Sequence, residues 1–178
     1  KFILVMRLFL GIELSEDYHK LFSELKHLNK KNSEIKWVNK ENLHITLVFI
    51  GDYNENDIDK LKNKISEILA DFGKFEIEPE RFVFMPPGKA RMLWLRFHKS
   101  KDFSRLSLLL NKSLLNKDPD HPPRPHVTLT RFKKKTESKI FFPKINLPAL
   151  KIEKINLYKS VLKASGAEYS VLKEFILK

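Results

Sequence analysis

The sequence predicts an α+β protein, a bilobal fold of two mainly antiparallel sheets with outer helices and a central cleft. Two stretches, residues 42–50 and 126–132, are rich in β-branched and aromatic residues and read as strands. Each carries the pattern His-x-Thr-Leu, at His44-Ile45-Thr46-Leu47 and again at His126-Val127-Thr128-Leu129, about half the chain later. Such self-similarity predicts two related lobes with one motif strand each. Strand-like runs also follow one another without a helix between them, which favours antiparallel sheet over βαβ units.

In chain order, residues 2–14 are apolar apart from Arg7, Gly11 and Glu13 and suit a buried central strand. Ser15 offers a helix N-cap, with Glu16 and Asp17 in the first turn, where the helix dipole favours acids. Tyr18, Leu21, Phe22, Leu25 and Leu28 recur at helical spacing and carry the helix to about Asn32. Residues 54–72 predict a second amphipathic helix capped by Gly73. Residues 75–85 and 91–97 read as two strands joined by Pro86-Pro87-Gly88, and a third helix spans about 102–115. The proline-rich loop 118–125 stiffens the approach to His126. The run Lys133-Lys134-Lys135 is either a solvated strand end or a phosphate contact. Further strands lie within 140–162 and 168–178, the last two joined by a hairpin at 163–167. No linker divides the chain, so residues 1–178 are expected to form one domain.

Composition narrows the function. With 34 Lys and Arg against 22 Asp and Glu, the chain carries +12, and an anionic partner such as nucleic acid is the first expectation. The absence of cysteine excludes disulfides, thiolate metal sites and a Cys nucleophile, and fits a cytoplasmic protein. No apolar run is long enough for a membrane span, and residues 1–5 read as part of the first strand rather than a signal.

In a strand, positions i and i+2 share a face and lie about 6–7 Å apart, so each motif presents an imidazole and a hydroxyl together. Two imidazoles facing one cleft can serve as an acid/base pair near neutral pH. The hydroxyls of Thr46 and Thr128 can bind the non-bridging oxygens of a phosphoryl group. Arg131 would suit the same phosphate, but it lies on the opposite face of an unbroken strand, so a bulge or strand end is needed to bring it round. A zinc site using His44, His126 and His121 or an acid is the chemical alternative, but neither motif has a closely spaced ligand set beside it.

These residues resemble the two-histidine (2H) phosphoesterase superfamily, and within it the RNA 2′,3′-cyclic phosphodiesterase, or LigT-like and 2′-5′ RNA ligase-like, branch. The resemblance rests on Met6-Arg7-Leu8-Phe9-Leu10, Lys36-Trp37-Val38, residues 42–47 with Phe49-Ile50-Gly51, residues 124–131, and Ser160-Val161-Leu162 with Gly166 and Tyr169. Members often begin near the Met-Arg-Leu-Phe step, so the resemblance leads one to expect residues 1–5 to be an extension or an altered start. The resemblance implies the 2H phosphoesterase fold, no metal or other cofactor, and hydrolysis of a terminal 2′,3′-cyclic phosphate to a 2′-phosphomonoester. His44 would be the proton donor to the leaving 3′-oxygen and His126 the proton acceptor that activates water. Thr46, Thr128 and Arg131 would hold the phosphate, and Trp37 and the Phe-rich strands are candidates for base stacking. The expected partner is RNA with 2′,3′-cyclic phosphate ends, tRNA fragments among them, bound by a monomer away from any membrane. Two alternatives share the site: 2′-5′ RNA ligation to a 5′-hydroxyl, and a non-catalytic module that binds RNA ends.

Overall fold

The computed structural model describes residues 5–132, 139–164 and 166–178, so the basic run Lys133-Lys134-Lys135 and residues 1–4 lie outside the described residues. The chain runs β1 (Val5–Glu13), α1 (Glu16–Leu28), β2 (Ile35–Trp37), β3 (His44–Asn54), α2 (Ile58–Leu69), β4 (Phe75–Ile77), β5 (Pro79–Met85), β6 (Met92–Phe97), α3 (Lys101–Leu115), β7 (His126–Phe132), β8 (Leu150–Ile152), β9 (Lys154–Lys163) and β10 (Gly166–Ile176). Every pairing among these strands is antiparallel. The larger sheet has the order β10-β9-β1-β3-β7-β6-β5, with β2 also on β7, and β4 and β8 form a separate two-stranded sheet.

Within the described residues β3 and β7 meet at a single pairing, Ile45 opposite Val127. The large sheet is therefore two halves hinged at the motifs: β10, β9, β1 and β3 on one side, and β7, β6, β5 and β2 on the other. Neither half is a continuous half of the chain. The first strand and the last two complete the sheet that carries His44, while β2 crosses over to β7. The buried faces of the helices cover these sheets: Tyr18 of α1 stacks on Phe97 of β6 at 5.6 Å, and Ser107 of α3 donates to the Leu47 carbonyl of β3 at 2.9 Å.

The helices fall where the apolar spacing puts them, with shorter ends. α1 stops at Leu28 because Asn29 turns inward, donating to the carbonyls of Leu25 and Phe141 and accepting from the Phe141 amide. Ser15 stands at the N-cap, but its side chain makes no capping bond. α2 begins after a 3₁₀ turn at Glu55–Asp57 and ends with Ala70, not Gly73, at the C-cap. The single strand expected over 75–85 is two. It breaks at Glu78, before Pro79, and sends β4 and β5 into different sheets. Residues 139–149 carry no strand, consistent with Pro143 and Pro148, which lack the amide that a ladder needs.

Both motif strands are bulged at the same place. Gly11 and Leu10 of β1 face Thr46 and Val48, which skips Leu47; Trp94 and Leu93 of β6 face Thr128 and Thr130, which skips Leu129. A bulge shifts the side-chain alternation by one residue. Leu47 and Val48, like Leu129 and Thr130, are consequently buried in succession, and Phe49 and Arg131 turn outward on the side of the histidines.

Candidate active site

The bulges and the Ile45–Val127 pairing build a cleft of about 780 Å³ whose lining includes His44, Thr46, His126, Thr128 and Arg131. Alternation along each strand explains the arrangement. Ile45 and Val127 are fully buried on the far side, so the residues on either side of each face the cleft. All five residues singled out in the sequence thus share one cavity. The return of Arg131 to this face follows from the bulge at Leu129.

The two imidazoles are held alike. Nδ1–H of His44 donates to the carbonyl of Asn42 at 2.7 Å, and Nδ1–H of His126 donates to the carbonyl of Arg124 at 2.9 Å. Each bond joins the ring to the residue two positions before it and leaves Nε2 for other work. Nε2 of His44 lies 3.0 Å from the hydroxyl of Thr46, accepting from it when neutral and donating to it when charged. Nε2 of His126 has no hydrogen-bond partner among the described residues.

Their surroundings differ. His44 sits among rings: Phe9 at 4.7 Å, Tyr169 edge-on at 5.2 Å and Tyr158 at 6.0 Å. Asn42, whose carbonyl anchors His44, donates from its side chain to the Ala167 carbonyl and so ties the β9–β10 hairpin to the cleft. His126 lies flat against Trp94, with centroids 3.8 Å apart and planes at 19°. Burial holds both imidazoles below their ordinary pKa of 6.5. For each, the bond to the backbone carbonyl opposes this, and for His44 the charge of His126 lowers it further. The ring pair is therefore neutral more readily than free imidazole, and charge on one member disfavours charge on the other.

At one end of the cleft Arg131 is paired across strands with Lys36 of β2 and with Met92 of β6. Paired residues share a face, so two cations stand together at the rim. Phe49, at the equivalent position of the other motif, is 65% exposed and lies 6.0 Å from Phe9. Trp37 lines the cleft while packing edge-on against Phe22. His121 also lines it, in the proline-rich loop. Among the described residues no three His, Asp or Glu side chains gather as a metal-binding set.

Several residues at the site have no role assigned to them from the sequence. Lys36, Phe9, Trp94 and Tyr158 reach it through strand pairing between distant segments, which local periodicity does not encode. The same holds for Glu80, whose carboxylate accepts from Arg96 at 2.9 Å and from Arg124 at 2.8 Å. Glu80 thereby fixes the end of the proline-rich loop whose Arg124 carbonyl receives His126. The available signal was the alternation in β6, where Met92, Trp94 and Arg96 take the face opposite Leu93 and Leu95.

Comparison with known proteins gives a consistent picture. The sequence profile of the 2′-5′ RNA ligase superfamily matches residues 16–161. A protein of Methanothermobacter thermautotrophicus named RNA 2′,3′-cyclic phosphodiesterase is 27% identical over 182 residues, covering 97% of this chain and 99% of its own. A Thermotoga maritima protein of the same name is also 27% identical, covering 95% of this chain and 94% of its own. Among crystal structures, a Thermus thermophilus protein superposes with a TM-score of 0.83 at 25% identity, covering 97% of this chain and 98% of its own. Escherichia coli LigT shares the fold, with a TM-score of 0.82 at 21% identity and 98% of each chain covered.

Proposed function

Since the chain belongs to the 2′-5′ RNA ligase superfamily, whose profile spans most of its length, we propose that it is a metal-independent RNA 2′,3′-cyclic phosphodiesterase. The observation that carries this reading is the pair of imidazoles with Nδ1 tied to backbone carbonyls, in a cleft that Thr46 and Thr128 also line. The near full-length similarity to relatives named for this activity agrees with it.

In the proposed reaction the cyclic phosphate lies between the two motifs. Neutral His126 accepts a proton from water at Nε2 as the water oxygen attacks phosphorus. The bond from phosphorus to O3′ breaks on the opposite side, and His44 gives its Nε2 proton to that oxygen. The product is a 2′-phosphomonoester with a free 3′-hydroxyl, and the net exchange is one proton taken and one given. Thr46, Thr128 and Arg131 are assigned to the non-bridging oxygens, where negative charge grows in the transition state. The assignment of donor and acceptor rests on the family resemblance; the contacts of the two rings are compatible with it.

The charge of +12 and the Lys36–Arg131 pair favour RNA as the carrier of the cyclic phosphate, with fragments of cleaved tRNA as one source. The cleft is built within one chain, which supports a monomer, and the absence of cysteine is in keeping with the cytoplasm.

Product analysis tests the reading. An oligonucleotide ending in a 2′,3′-cyclic phosphate is incubated with the protein in excess EDTA, with and without a second oligonucleotide bearing a 5′-hydroxyl. A 2′-phosphate product in EDTA supports the phosphodiesterase. A joined product with no hydrolysis would mark a ligase, and tight binding with neither product would mark an end-binding module.

A further inference from the structure

The two bulged motifs make the neighbouring strands comparable position by position, and the comparison exposes one large difference. Opposite Thr46 on β1 stands Gly11; opposite Thr128 on β6 stands Trp94. At Gly11 a side chain would be crowded: a Cβ would lie 3.0 Å from the Ile45 carbonyl, 3.3 Å from the Tyr158 ring and 3.4 Å from Cδ2 of His44. At Trp94 the equivalent space holds an indole lying flat on His126, and its Nε1 is buried without a partner among the described residues. The two imidazoles thus have the same hydrogen bond to the backbone but different floors.

We propose that Trp94 is a positioning residue for His126: it fixes the imidazole plane so that Nε2 faces the cleft, and its π face stabilises the imidazolium that forms when His126 takes a proton. The first part follows from contact. The Nδ1 bond to Arg124 leaves the ring free to rock about one edge, and a parallel indole at 3.8 Å removes that freedom. The second follows from the quadrupole of the indole, the strongest cation-binding face among the side chains. His44 has Phe9 tilted at 37° and Tyr169 edge-on, so among the described residues no ring lies parallel against it as Trp94 does against His126. The inequality matches the division of labour proposed above, because the residue that ends the chemical step charged is the one with an aromatic face beneath it. The other charged groups near His126 are Arg96, opposite it on β6, Arg124, two residues before it, Glu80, which pairs with both arginines, and His44 across the cleft.

This inference rests on the phosphodiesterase reading for its catalytic meaning, but its test has a part that needs no substrate. In a Trp37→Phe background, Trp94 is the sole tryptophan, and its fluorescence is followed against pH beside the C2–H resonance of His126. A stacked imidazolium quenches indole emission, so both signals should titrate with one midpoint, and His126→Asn should abolish the fluorescence step. Trp94→Leu should lower the midpoint of His126 by about half to one pH unit, while Trp94→Phe, which keeps a ring, should restore most of it. On a cyclic-phosphate oligonucleotide, Trp94→Leu should lower kcat at neutral pH by about tenfold with KM changed less than twofold, and move the acid limb of the pH profile downward. Unlinked titrations in the Trp37→Phe protein would overturn the proposal even if Trp94→Leu fails to fold, and so would an unchanged His126 midpoint in folded Trp94→Leu. Linked titrations in a protein without phosphodiesterase activity would leave the stack established and the function reading refuted.

Discussion

Ile45 and Val127 pair across the seam between the two halves of the sheet, and each sits between the histidine and the threonine of its own motif. The contact that joins the halves is thus also the contact that sets the spacing of the four polar groups in the cleft. Both side chains are completely buried.

Truncation at this seam should affect stability and catalysis together. Ile45→Val is expected to cost about 0.5–1.5 kcal/mol and Ile45→Ala about 2–5 kcal/mol, measured by denaturant unfolding. Because the motifs flank the pair, folded Ile45→Ala should also lose kcat, whereas an equally buried residue far from the cleft, such as Leu69, should lose stability alone when truncated.

The motifs, the helices and the antiparallel character were legible in the sequence because they rest on local signals: strand alternation, helical spacing and a repeated tetrapeptide. What was hidden is non-local. Nothing near Phe9, Trp94 or Tyr158 indicates which histidine each will meet, since those contacts depend on the pairing of β1 with β3 and β9, and of β6 with β7. Arg131 lay between the two cases. Simple alternation turns it away from the cleft, and the bulge that returns it, which skips Leu129, depends on the pairing of β6 with β7 and leaves no local mark in the sequence. The break at Glu78 leaves no local mark because residues 75–85 have strand composition throughout, and Pro79 can begin a strand as well as interrupt one.

The bulge brings Arg131 to the cleft, and its proposed contact with the phosphate has a measurable consequence. Arg131→Ala should reduce kcat/KM on a cyclic-phosphate oligonucleotide by about 10²–10³-fold, with Arg131→Lys intermediate because a point charge replaces a two-pronged donor. Thr46→Val and Thr128→Val remove a hydroxyl at nearly constant volume and should each lower kcat with little change in the melting temperature. Arg131→Ala that retains full activity would remove this residue from the site.

The depressed pKa values fix the direction of the pH dependence. In the proposed mechanism the productive free enzyme carries one proton on the pair, and burial holds both histidines below 6.5, so the optimum of kcat/KM should lie below about pH 6.5. Bound phosphate favours imidazolium, so the basic limb of kcat should stand at higher pH than that of kcat/KM. Stability follows the same shifts. The folded state binds fewer protons than the unfolded one near pH 6.5, so the contribution of these histidines is complete above that pH and is lost as pH falls through the folded values. Rate profiles and melting temperatures across this range check both statements, and a kcat/KM optimum well above about pH 7 would contradict the first.

In the proposed function His44 and His126 act as an acid/base pair on RNA ends. The most direct measurement compares wild type, His44→Ala and His126→Ala for single-turnover cleavage of a cyclic-phosphate oligonucleotide in EDTA, with binding measured on the same proteins. Each substitution should slow the chemical step by about 10²–10⁴-fold while binding changes little. Cleavage at the wild-type rate by either variant would contradict it.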